Sequence, residues 1–153
     1  MKPKPSHLAI ATDITKVFQT GKLEVPALRG LSLVIEEGDF LALVGPSGSG
    51  KTTLLNLLGA LDRPTSGSLE VLGEDLSKLG KGARAKLRLS SIGFVFQAYN
   101  LVPVLTAAEN VEFVLELQGI PSRQRRARAL RVLADLGLEA LAGRRPNELS
   151  GGQ

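Results

Sequence analysis

The chain has no cysteine and no tryptophan, a single histidine, His7, and aromatic residues at only 4% of its 153 positions. Each shortage removes a class of chemistry. Without thiols there is no disulfide scaffold, no thiolate zinc or iron–sulfur site and no cysteine nucleophile. One histidine means that a His-based metal cluster or a Ser-His-Asp triad has only His7 to build on. Scarce aromatics leave no stacking platform for single-stranded nucleic acid, and no nucleic-acid partner is expected. No apolar run approaches the roughly 18 residues that span a bilayer, and Leu8–Ala11, which follows Lys2 and Lys4, is too short for a secretory leader. The net charge is only +4, and the excess is local: Arg123, Arg125, Arg126, Arg128 and Arg131 crowd into one short stretch. Such a cluster reads as the solvated face of one helix. With 43% hydrophobic and 22% charged residues the chain is neither disordered nor fibrous, and its length suits one core.

From Ile10 to Ile35 the pattern is of short strands joined by turns at Gly21, Pro26 and Gly30, which predicts an antiparallel lobe. Phe40–Val44 is apolar at every position, as in a strand buried on both faces of a mostly parallel sheet. A helix is expected from about Lys51 to Leu61, with Leu54, Leu55, Leu57, Leu58 and Leu61 inside, ending before Pro64. Ser68 to Leu72 reads as a strand, Lys78 to Leu89 as a basic helix, and Ile92–Phe96 as a second buried strand. Thr106-Ala107-Ala108-Glu109 has the form of a capping box and predicts a helix that carries Val111, Val114 and Leu115 on one face and stops at Gly119. Ser122 is the expected N-cap of the arginine-rich helix, with Leu130, Leu133 and Ala134 inward and Gly137 as its stop. The fold class is therefore α/β.

Between the apolar run and the first helix lies Gly45-Pro46-Ser47-Gly48-Ser49-Gly50-Lys51-Thr52, the phosphate-binding pattern G-x4-G-K-[ST] in the strand–loop–helix setting it requires. Its glycines let successive N–H groups turn inward as a nest, and the helix start adds its positive dipole end. Lys51 supplies a mobile charge for the β- and γ-phosphates, and the Thr52 hydroxyl is placed to ligate Mg2+ bridging them. Thr53 completes the first turn. At average residue frequencies these four fixed positions match by chance in roughly one chain in a few hundred, so the strand and helix on either side carry the decision.

Leu149-Ser150-Gly151-Gly152-Gln153 follows later, and Gln97 stands between the two motifs at the end of Ile92–Phe96. Together these residues resemble the ATP-binding subunits of ATP-binding-cassette (ABC) transporters over nearly the whole chain. The resemblance implies a P-loop NTPase fold with an antiparallel lobe (1–38), a P-loop core with a hairpin (39–97) and a helical subdomain (98–153). It implies that Gln97 contacts magnesium and the attacking water and senses a membrane subunit. It also implies that Phe18, where the family usually has tyrosine, stacks on adenine, and that Leu149–Gln153 caps ATP held by a second, head-to-tail copy. Gly59-Ala60-Leu61-Asp62-Arg63-Pro64-Thr65-Ser66-Gly67, Ile92–Gln97 and Asn100-Leu101 look like the branch serving lipoprotein-release and macrolide-export permeases.

What the resemblance implies, then, is a subunit that binds ATP and Mg2+ and couples hydrolysis to an integral membrane permease, at the cytoplasmic face of the cell membrane. The general-base glutamate and the switch histidine that the family places after the signature motif are not within these 153 residues. The chain is thus expected to be the front portion of a longer ATPase, to hold nucleotide with little turnover, and to be poorly soluble alone because Phe40–Val44 lacks a neighbour. The alternative is a non-catalytic ATP-binding remnant or regulator.

Overall fold

A computed structural model of the chain describes residues 7–97 and 99–152. They fall into two compact units, one ending at Ile92 and the other starting at Gly93.

The first unit is built on a long hairpin. β1 (His7–Thr20) and β2 (Leu23–Glu36) pair antiparallel, each 14 residues long. The expected series of short strands is two long ones, because the breaks at Pro26 and Gly30 are bulges within the ladder and not chain reversals. The reversal comes at Gly21, whose φ of 62° a two-residue connection requires. β3 (Ser66–Val71) takes the other edge of β1 and the short β4 (Glu74–Asp75) pairs with β3, so the order is β2-β1-β3-β4. Ala9, Ala11 and Ile14 of β1 and Leu69 and Val71 of β3 are buried together with Leu54 and Leu57 of α1 (Lys51–Leu58). Gly67 comes so close to the backbone of Thr12 and Asp13 that a side-chain carbon there has no room.

α1 ends at Leu58, short of the expected Leu61. Ala60 turns left-handed at φ 54°, and the N–H groups of Ala60 and Leu61 donate to the carbonyls of Leu57 and Asn56, the two bonds of a Schellman stop. A helix of eight residues buries one stripe, so Leu55 and Leu61, expected inside, are 56% and 45% exposed. The basic helix, α2 (Lys81–Ser91), starts later than predicted. Its Arg84 is buried, and Arg88 donates to the Ala60 carbonyl at 2.7 Å, a cation where the α1 dipole is negative.

Two apolar segments do not form the buried strands expected of them. Among the described residues nothing pairs with Phe40–Val44 or with Ile92–Phe96, and Phe40, Val44 and Val95 are 99%, 92% and 102% exposed. A strand is made by the neighbour that takes its N–H and C=O groups, and composition cannot supply one. Phe94 and Phe96 instead stack on each other, centroids 5.6 Å apart.

The second unit is a helical pair, α3 (Ala107–Leu117) and α4 (Ser122–Asp135), followed by 3₁₀ turns at Glu139–Leu141 and Pro146–Glu148. The capping box forms as predicted: the Thr106 hydroxyl accepts from the Glu109 N–H at 3.3 Å, and the Glu109 carboxylate accepts from the Thr106 N–H at 2.8 Å. Both helices stop at the predicted glycines, with Ile120 N–H bonding Leu115 O and Leu138 N–H bonding Leu133 O. Arg126 pairs with Glu112 at 3.0 Å and Leu133 packs on Ala108, a register that runs the helices antiparallel. Ser122 is the first helical residue and not the cap; Pro121 holds that place, its fixed φ suiting the entry. The inward face of α4 carries Ala129 and Leu133, and Ala134, expected inside, is exposed, since it lies a third of a turn from Leu133.

Candidate nucleotide-binding site

The loop from Gly45 to Thr52 leads into α1 at Lys51. Gly50 is the N-cap at φ 90°, and a Cβ there lies 2.6 Å from the Ala27 carbonyl oxygen and 2.9 Å from Leu28 Cδ2. Only glycine allows the loop to sit this close to β2. The approach uses a bulge: Lys16 faces Leu28 and Val17 faces Pro26, so Ala27 has no opposite number in the ladder. Ala27, Ser47, Gly48, Ser49, Gly50, Lys51, Thr52 and Thr53 line a concavity of about 510 Å³.

The start of α1 has no side-chain cap and no acidic residue in its first turn, in contrast to α3 with its glutamate. The first helical bond is made by the Leu54 N–H to the Gly50 carbonyl at 2.8 Å, which leaves the N–H groups of Lys51, Thr52 and Thr53 for an anion, while the Ser49 N–H donates to the Pro46 carbonyl at 3.3 Å. The Lys51 ammonium folds over the loop and donates to the carbonyls of Gly45 at 2.8 Å and Pro46 at 2.7 Å, with Ser49 Oγ at 3.3 Å. The cation is thus held at the concavity by neutral acceptors, which it can exchange for phosphate oxygens. Thr52 is exposed. Among the described residues no cluster of three or more His, Asp or Glu groups could hold a metal. At the loop itself the side-chain oxygen on offer is the Thr52 hydroxyl, a donor type suited to an ion carried largely by phosphate and water.

Phe18 is 41% exposed near the hairpin end of β1 and pairs with Val25, two residues along β2 from Ala27. Two residues of strand are about 7 Å, so Phe18 pairs a short step along β2 from the Ala27 position on which the phosphate loop packs. The Lys16 ammonium stands 5.0 Å from the centre of the Phe18 ring.

Gln97 and the signature residues belong to the second unit. Gln97 is exposed directly after the Phe94–Phe96 stack. Leu149 is half-buried and, with Leu101, Val111 and Leu133, lines an apolar cavity of about 240 Å³. Ser150, Gly151 and Gly152 are exposed, with the Tyr99 hydroxyl beside Gly151; Gln153 lies outside the described residues. Asn110 was not singled out by the sequence. Its amide accepts from the Val102 N–H at 2.7 Å and donates to the carbonyls of Leu105 at 3.1 Å and Thr106 at 3.0 Å, which ties the segment before α3 to that helix. An Asn one residue beyond a capping box was the available signal.

A glycine-rich loop opening a helix beside an antiparallel lobe, with a lysine folded over it, defines a P-loop nucleotide-binding cassette. The family model described as ABC transporter matches residues 28–153, and the chain belongs to that family. It is 48% identical to an ABC transporter ATP-binding protein of Thermotoga maritima over 92% of this chain and 60% of the relative. It is also 48% identical to the macrolide export ATP-binding/permease protein MacB of Marinobacter nauticus, over all of this chain and 23% of that protein. The dimeric structure of the cassette MJ0796 in a post-hydrolysis state with ADP and Pi superposes with a TM-score of 0.87 at 42% identity, over 95% of this chain and 64% of that one. The chain therefore spans less than two-thirds of each of these relatives. Among the described residues no helix is long and apolar enough to cross a membrane.

Proposed function

We propose that this chain is the nucleotide-gripping portion of an ATPase that drives a membrane permease of the export or lipoprotein-release type, working at the cytoplasmic face of the membrane. The observation that carries the reading is the Lys51 ammonium held over Gly45 and Pro46 at a helix start with unspent N–H groups. In this reading the N–H groups of Gly48, Gly50, Lys51, Thr52 and Thr53 wrap the phosphates, joined by that of Ser49 once it leaves the Pro46 carbonyl, with Pro46 and Ser47 shaping the turn. Lys51 moves from the loop carbonyls to the β- and γ-oxygens; the Thr52 hydroxyl would hold magnesium at the loop, and the amide of Gln97 is the ligand that the family resemblance adds. Phe18 receives the base. Magnesium, when bound, neutralises charge that develops on the phosphates. In the same reading Leu149 anchors the signature segment by its half-buried side chain, and Ser150, Gly151, Gly152 and Gln153 cover the γ-phosphate of a second copy, head to tail. The names of the relatives, MacB and the pyoverdine exporter PvdT, support an export partner.

None of the residues given a role in this reading is a carboxylate that could serve as the general base, so binding without efficient turnover is the behaviour we expect of them. Calorimetry with Mg·ATP tests the first half. Lys51→Ala is expected to weaken binding by more than tenfold, and unchanged affinity overturns the assignment of the loop. Phosphate release tests the second half: steady turnover abolished by Lys51→Ala contradicts weak hydrolysis.

A further inference from the structure

Lys16 has a side chain only 12% exposed, which is unusual for a lysine, and its ammonium has two polar partners and a ring beside it. Its ammonium is 2.7 Å from Asp62 Oδ2, donates to the Arg63 carbonyl at 2.9 Å, and lies 5.0 Å from the Phe18 ring centre. Asp62 is itself fixed. Its N–H reaches the Asn56 carbonyl of α1 at 3.2 Å, and its Oδ1 accepts the Arg63 N–H at 2.7 Å. Burial opposes ionisation of Asp62, yet the Lys16 and Arg63 hydrogen bonds and the nearby Lys16 and Arg84 charges hold its carboxyl below the ordinary value, so it stays an anion. Three further bonds stitch the same two segments together: Thr65 N–H to the Thr15 carbonyl, Val17 N–H to Thr65 Oγ1, and Thr15 to Ser66. One polar chain therefore runs from α1, whose other end opens on the phosphate loop, through Asp62 and Lys16 to the Phe18 ring.

We infer that Lys16 is a positioning residue for nucleotide, holding Phe18 as the platform for the purine and locking that platform to the helix that grips the phosphates. This rests on the nucleotide-binding reading above. A cation on one side of an aromatic ring restrains the ring and draws electron density toward itself. The side away from the ammonium becomes less negative, which favours a stacked purine. Anchoring the ammonium at Asp62 fixes the distance between base platform and phosphate loop, so both ends of one nucleotide meet a preset span.

The test separates base from phosphate. Affinities of the full chain for Mg·ATP and for magnesium tripolyphosphate are measured by calorimetry in wild type, Lys16→Met, Lys16→Arg, Phe18→Ala and the Lys16→Met/Phe18→Ala pair. Lys16→Met is expected to weaken ATP about two- to fivefold and leave tripolyphosphate unchanged. Lys16→Arg is expected to restore most of the loss, Phe18→Ala to weaken ATP about tenfold, and the pair to equal Phe18→Ala alone. Equal losses for ATP and tripolyphosphate mean that Lys16 merely supports the fold, and overturn the inference. No loss with ATP, or additive losses in the pair, overturns it as well. A wild-type chain that binds neither ligand refutes the nucleotide-binding reading itself, and this inference falls with it; tripolyphosphate binding with no gain from the base refutes only the platform.

Discussion

Alanine at Gly50 and at Gly48 is the sharpest way to ask whether the loop is pressed against β2. Both glycines have positive φ, 90° and 79°, so alanine at either brings a similar conformational penalty of about 1–2 kcal/mol. Their surroundings differ. A Cβ at Gly48 meets nothing within 4 Å, whereas at Gly50 it meets the Ala27 carbonyl at 2.6 Å, part of a ladder that cannot retreat cheaply. Overpacking of this kind costs about 1–3 kcal/mol more, so Gly50→Ala is expected to lose about 2–5 kcal/mol and Gly48→Ala about 1–2. Urea unfolding of the two variants gives the difference directly, with backbone strain cancelled. In a chain of this size each kcal/mol moves the thermal midpoint by about 2–4 °C, which supplies an independent reading. Gly50→Ala as stable as Gly48→Ala refutes the close approach at the Ala27 bulge, and with it the account of how the phosphate loop is held.

The exposed apolar segment gives a second expectation: Val44→Asp changes stability by less than about 0.5 kcal/mol and reduces self-association in sedimentation velocity. A loss above about 2 kcal/mol contradicts the exposure of that residue. The capping box gives a third. Thr106→Ala costs about 1 kcal/mol by urea unfolding. Because the Thr106 N–H and hydroxyl hold the Glu109 carboxyl below its ordinary value, Glu109 stabilises the fold at pH above that ordinary value, and its contribution is lost as pH falls through the lowered one. Asp75 behaves likewise: hydrogen bonds from Ser77 and Lys78 hold it at about 2. Stability is thus expected to decline from about pH 4.5 toward pH 2, and Thr106→Ala to flatten the upper part of that decline. An acid limb identical in wild type and variant speaks against the Thr106–Glu109 pairing.

Much of this protein was legible in its residues, and the legible parts share a physical origin. The phosphate loop, the capping box at Thr106 and the helix stops at Gly119 and Gly137 all depend on partners within a few positions of each other. Their hydrogen bonds close locally, so a short pattern of residue types suffices. Tertiary structure decided what depends on a distant partner. Phe40–Val44 has the composition of a buried strand, yet its state is set by whether another strand takes its backbone groups, and among the described residues none does. Pro26 and Gly30 read as turns, but the pairing of β1 with β2 continues through them as bulges, and one bulge brings Ala27 against Gly50. Lys16, forty-six positions before Asp62, becomes part of the candidate nucleotide site only when the hairpin lays it beside the end of α1. The sequence by itself determined which backbone could grip a phosphate. Only the folded chain decided what that loop leans on and which lysine stands behind the ring, because those contacts join residues that are neighbours in space and not along the chain.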